Sequence, residues 1–215
     1  ELETNDVSFR PTLITEACAE VANFKGKQIL DLGCGIGPLA IYFALNGAKE
    51  VTASDIYDEH LNLTSVNAKK NNADIKIIES DLFENISEQY EVISCDVSGV
   101  EEKIAEVTGW FPDGVPKADS TGANLIIKVI QDSLNYLKND GELYICATSF
   151  SDIVEIEKTI KESYGSSWEK VYSEEVPFSK RLRRNIDLLS FNDYIIKKND
   201  TFFWQIFIYK LKKIN

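Results

Sequence analysis

The stretch Gln28-Ile-Leu-Asp-Leu-Gly-Cys-Gly-Ile-Gly-Pro-Leu-Ala40 decides how the rest of the chain is read. An apolar run reaches Asp31, glycines follow at the alternate positions Gly33, Gly35 and Gly37, and an apolar periodic segment begins at Leu39. That order is a strand, a tight turn and a helix. Glycine is needed where the backbone takes a positive φ or lets a ligand come into contact with it. Pro38 suits a first helical position, because its missing N–H would have no partner there. The turn is built to hold something. A dinucleotide site needs G-x-G-x-x-G, whose third glycine packs the helix on the strand beside a pyrophosphate. Here the third place is Pro38, which argues against a nicotinamide oxidoreductase.

Outward from this turn, Lys49-Glu-Val-Thr-Ala-Ser-Asp55 is a second strand ending in an acid, one βαβ unit beyond Asp31. An acid there can accept both hydroxyls of a ribose; the alternative is an N-cap for the helix expected from about Asp58 to Asn71. A third strand, Ile75-Lys-Ile-Ile-Glu-Ser-Asp81, ends in a third acid. Asp31, Asp55 and Asp81 thus fall in order at the edge where an open α/β sheet binds its ligand.

The order acid, one residue, then G-x-G-x-G resembles motif I of the class I S-adenosylmethionine (SAM)-dependent methyltransferases. The resemblance covers roughly residues 27 to 150. It implies a Rossmann-like α/β fold, with a seven-stranded, mostly parallel sheet in the order 3-2-1-4-5-7-6 and helices on both faces. It implies SAM as cofactor and S-adenosylhomocysteine (SAH) as product. Asp31, Gly33, Cys34, Gly35 and Gly37 would meet the ribose and methionine portion, Asp55 and Ile56 the ribose side, and Asp81 and Leu82 the adenine.

The fourth strand, Tyr90-Glu-Val-Ile-Ser-Cys-Asp96, ends where this family places substrate chemistry. HemK-like and related amino-methylating enzymes carry N-P-P-Y there, which holds a planar amide or exocyclic amine. This chain has Asp96-Val-Ser-Gly99, so that clamp is missing. A carboxylate can instead take a proton from a hydroxyl or protonated amine as it attacks the methyl group. Asp96 is the catalytic candidate, with Ser98 beside it; the alternative is that Asp96 only caps the chain turn.

Candidate substrate contacts lie in three further places. Phe9 belongs to the arm Val7-Ser-Phe-Arg-Pro-Thr12, which precedes an amphipathic helix over Thr15–Phe24 and is read either as a helix lead-in or as a cover for the pocket. With Arg10, Pro11, Thr15 and Glu16 the arm is loosely similar to the R-P-x-T-E opening of HemK-like enzymes, with two extra residues between. Trp110 and Phe111 sit in the long loop from Gly99 to Gly122, around a short helix at Glu101–Val107, and either line a pocket or pin the loop. Arg181 lies in Pro177–Asp200, a segment longer than a hairpin needs and a candidate substrate-side insertion. Helices are expected at Ala123–Leu137 and Asp152–Ser163, and strands at Gly141–Thr148 and Trp168–Val176. Thr201–Lys210 is apolar on both faces, as a buried antiparallel strand between the fifth and sixth would be.

At 215 residues and 44% apolar the chain is long enough for one well-filled core, and a single domain over 1–215 is expected. The formal net charge of -12 disfavours a nucleic-acid acceptor unless a basic subunit joins, because phosphate neutralisation supplies most of that affinity. Cys18, Cys34, Cys95 and Cys146 stand singly beside one histidine, which suits no metal site and a reducing cytoplasm. No apolar run approaches a bilayer span, so no membrane partner is expected. The expectation is methyl transfer to O or N of a small molecule, such as a specialised metabolite, or of a peptide. The alternatives are a protein or RNA N-methyltransferase with a degenerate fourth motif, and a non-catalytic subunit of the same fold.

Overall fold

The computed structural model describes residues 1–4, 12–108, 119–189 and 195–214. Within them the chain runs α1 (Leu13–Val21), β1 (Gln28–Leu32), α2 (Pro38–Leu45), β2 (Glu50–Asp55), α3 (Asp58–Lys70), β3 (Lys76–Glu79) and β4 (Tyr90–Cys95). It continues through α4 (Glu102–Thr108), α5 (Asn124–Ser133), β5 (Leu137–Thr148), α6 (Ile153–Tyr164) and β6 (Trp168–Pro177). The last elements are α7 (Lys180–Arg184), α8 (Ile186–Leu189), β7 (Ile196–Lys198) and β8 (Thr201–Lys212).

One sheet joins the strands in the order β3-β2-β1-β4-β5-β8-β6. The first five are parallel, and β8 runs antiparallel to both β5 and β6. This is the expected order 3-2-1-4-5-7-6, with β8 as its penultimate strand. The sheet has eight strands rather than seven because β8 overhangs the end of β5. Pairing to β5 stops at Ile206 opposite Thr148, and Thr201–Phe203 pair instead with β7. Asn199, at φ 53, makes the tight turn between β7 and β8; asparagine tolerates the left-handed region better than most residues.

Alternation across the pleat sends successive side chains to two apolar layers. Leu30, Ile93, Ile145 and Phe207 pack with α5 and α6 on one face, while Ile29, Val92, Tyr144 and Ile208 pack with α1 and α2 on the other. Ile206–Tyr209 of β8 is apolar at four successive positions because both faces of the strand are covered there. A third cluster, with Val100, Ile104, Phe150, Phe178 and Leu182, docks α4 and α7 onto the sheet's end.

Several element boundaries differ from expectation. The helix expected to Leu137 stops at Ser133, and β5 begins at Leu137 rather than Gly141. Leu137 is fully buried opposite Tyr90 in β4, so tertiary packing extends the strand backward through the Asn-Asp-Gly turn signal. The first helix begins earlier than expected, at Leu13: Thr12 and Thr15 form a capping box, each side chain accepting from the other's backbone N–H.

Candidate active site

The parallel strands end along one edge of the sheet, and a cavity of about 710 Å³ opens there. Its volume falls within the usual range for small-molecule sites. Asp31, Gly33, Cys34, Gly35, Asp55, Ile56, Asp81, Leu82 and the Asp96–Val100 loop all line it, while Gly37 does not.

The loop after β1 is held from below, where Gly33 N and Cys34 N both donate to Ser54 O at 2.8 and 2.9 Å. Gly35 (φ +54) would point a Cβ into open space, with nothing within 4 Å. A ligand can therefore reach this part of the backbone. Gly37 (φ +84) has a different reason to be glycine, since a Cβ would lie 2.8 Å from Thr64 Cγ2 on α3. One glycine leaves room for a ligand and the other lets two helices meet.

Asp55 is fastened before any ligand arrives. Its Oδ2 accepts from Gly35 N at 2.9 Å and its Oδ1 from Tyr57 N at 3.0 Å, while His60 Nδ1 lies 3.3 Å from Oδ1. The side chain thus joins the glycine loop to the residue before α3, and lone pairs remain on both oxygens. The N-cap position of α3 belongs to Tyr57, not Asp55.

Asp31 is turned to protein partners. Oδ1 accepts from Ser94 Oγ at 2.9 Å and Oδ2 from Ala40 N at 3.1 Å, tying the ends of β1 and β4 to the first turn of α2. Burial pushes its carboxyl up to about 7. Asp81 is exposed at the rim, and Leu82 beside it is buried at φ 47. Ile56, which also lines the cavity, is 44% exposed.

Asp96, just past β4, has most of its surface covered. The Thr15 hydroxyl of α1 donates to its Oδ2 at 3.5 Å, and burial raises its carboxyl to about 6. Ser98 Oγ is buried without a hydrogen-bond partner among the described residues.

Comparison with known proteins places this geometry. The family model described as "Methyltransferase small domain" matches residues 13–96. A protein of Methanocaldococcus jannaschii named as an N5-glutamine methyltransferase is 32% identical over 135 residues, covering 61% of this chain and 66% of that protein. The fold is that of the class I SAM-dependent methyltransferases, and residues 13–96 match their small-domain model. The release factor glutamine methyltransferase of Streptococcus pneumoniae is 33% identical over 124 residues, covering 55% of this chain and 44% of that protein. The chain therefore spans less than two thirds of the length of these relatives. Among solved structures, a ribosomal protein L11 methylase of Lactobacillus delbrueckii superposes with a TM-score of 0.59 at 19% identity, over 93% of this chain and 78% of that one. That likeness is one of fold.

Several residues that line the cavity were not singled out from sequence. Thr12, Leu13, Ile14 and Thr15 line the cavity because α1 packs over the strand ends, and the Thr12-x-x-Thr15 spacing was the available signal. Trp204 reaches it from the part of β8 that overhangs β5, and Ile206 from the last paired position opposite Thr148, which the apolar run does not reveal. Arg181 is exposed on α7 and is not among the residues that line the cavity. In that five-residue helix Leu182 is the buried anchor, so Arg181, Arg183 and Arg184 stay outside. Phe9, Trp110 and Phe111 lie outside the described residues. No described helix is long and apolar enough to cross a membrane.

The raised carboxyls imply an unusual pH dependence. Asp31 and Asp96 hold protons in the folded state that the unfolded chain has already released above about pH 4. Stability therefore falls as pH rises from about 4 to 7, through the shifted values. Three units at Asp31 amount to roughly 4 kcal/mol. Glu142, held low by Lys210 and Lys27, has the opposite sign, but its contribution is complete by about pH 5. Urea unfolding of the free protein should show stability declining by several kcal/mol between pH 5 and 7.5, with Asp31→Asn flattening the slope. A rising or level profile would show that Asp31 ionises normally.

Proposed function

We propose that this methyltransferase binds SAM along the β1–β2–β3 edge and transfers its methyl group to a nitrogen of a protein or peptide. The observation that carries the reading is the convergence of an open backbone at Gly35, a pre-fastened Asp55 and the carboxylate of Asp96 on one cavity. The residues suit the cofactor. Asp55 has lone pairs left for ribose hydroxyls, and the Gly35 backbone can be approached. Asp81, Ile56 and Leu82 offer a rim with one acceptor and two apolar side chains for a purine. SAM supplies an electrophilic methyl group, and the chain's task is to hold an acceptor in line with it and manage the acceptor's proton.

The acceptor class moves from the small molecule first expected toward protein. The relatives named above act, by their names, on glutamine in proteins and release factors. The net charge of -12 continues to weigh against RNA. We further read residues 1–215 as one domain, with Pro177–Asp200 as an insertion packed by Phe178 and Leu182.

Incubation with methyl-labelled SAM and a cell extract tests the reading. Label that precipitates with acid, resists ribonuclease and is released by protease is expected. Label confined to a filterable metabolite would restore the small-molecule reading, and ribonuclease-sensitive label would point to RNA. If calorimetry shows no binding of SAM or SAH, the assignment of the cofactor site fails outright.

A further inference from the structure

The charged side chains around the cavity have one sign. Asp31, Asp55, Asp81 and Asp96 line it, and among the described residues no lysine or arginine does. Asp31 and Asp55 are satisfied by backbone and side-chain donors on both oxygens. Asp96 is not. The hydrogen bond on its carboxylate among the described residues comes from Thr15 Oγ1 at 3.5 Å, the outer limit of such a bond. A covered carboxylate without a counter-charge costs several kcal/mol. Two residues on, the buried Ser98 hydroxyl also lacks a partner among the described residues. The walls beside them, Leu13, Ile14, Val97, Val100, Leu125 and Trp204, are largely apolar. The site asks for a ligand with a positive, N–H-rich end and an apolar stem.

We propose that the methyl acceptor is an alkylammonium group that enters as the counter-ion of Asp96 and gives it a proton before attack. This rests on the methyl-transfer reading above and names its substrate class. The Asp96 carboxylate takes one proton from R–NH3⁺, leaving R–NH2 with a free lone pair. The nitrogen then bonds to the methyl carbon while the carbon–sulfur bond breaks, its electron pair staying on sulfur. The products are R–NH2⁺–CH3, the neutral thioether SAH and one proton on Asp96, which passes to solvent. Apolar walls and the positive sulfonium both favour the neutral amine over the ammonium, while burial raises the Asp96 carboxyl, so the two groups approach each other in proton affinity. An amide nitrogen brings no charge to offset the carboxylate, and its N–H is too weakly acidic for Asp96 to deprotonate before attack.

The test uses the protein saturated with SAH, so that no turnover is needed, and three small probes: n-butylammonium, n-butyramide and n-butyrate. Binding is followed by NMR titration. Butylammonium should bind at least tenfold more tightly than butyramide, and butyrate most weakly. In Asp96→Asn the preference for butylammonium over butyramide should shrink to about twofold. Butyramide binding as well as butylammonium in the wild-type protein would overturn the proposal, whether or not the variant folds. So would a full preference surviving in Asp96→Asn. Failure of SAH itself to bind would instead remove the methyl-transfer reading on which the proposal stands.

Discussion

Asp55→Ala is expected to weaken SAM and SAH about 100-fold, close to 2.7 kcal/mol. Two losses combine. The charge-assisted bonds that the carboxylate would give to ribose hydroxyls carry roughly 1.5–3 kcal/mol. In addition, Gly35 N and Tyr57 N lose their acceptor, so the glycine loop is no longer held open before the ligand arrives. Calorimetry with SAH measures the loss, and an unfolding scan without ligand separates it from damage to the fold. An affinity within about twofold of wild type would mean that the ribose is held elsewhere and that Asp55 serves only to join the loop to α3.

The strand-end acids were legible because a parallel sheet buried on both faces writes itself as apolar runs with polar punctuation, and Asp31, Asp55, Asp81 and Asp96 are that punctuation. What each acid does was less legible. Asp31 and Asp55 look alike in sequence, yet the first turns inward to Ser94 and Ala40 and the second spans the glycine loop and α3. That difference depends on which neighbouring strand and helix present donors, a three-dimensional fact. Trp204 was hidden for a related reason: nothing in Thr201–Lys212 states how far β8 runs past β5. The placing of Arg181 was not legible either, because a basic cluster reads as a charge feature, whereas the buried Leu182 between the arginines decides which way the helix faces. Thr15 was visible as part of a helix start, but its contact with Asp96 spans 81 positions.

Asp96→Asn is expected to lower kcat by about 100-fold or more at saturating SAM, with the acceptor identified by labelling. Asparagine keeps the volume and one acceptor oxygen, so Thr15 can still donate to it and α1 can keep its place over the cavity. What is lost is the ability to take a proton. The pH profile carries the decisive signature. In the wild-type enzyme kcat/KM should fall on the acid side near pH 6, where Asp96 becomes protonated. In Asp96→Asn that limb should vanish, leaving a low rate that rises only as the acceptor itself loses its proton at higher pH. If Asp96 mattered only for packing, the acid limb would belong to another group and would persist in Asp96→Asn at a uniformly lower rate. If Asp96→Asn retains near-wild-type kcat across this range, the carboxylate does not act as a base, and holding donor and acceptor in line must supply the rate by itself.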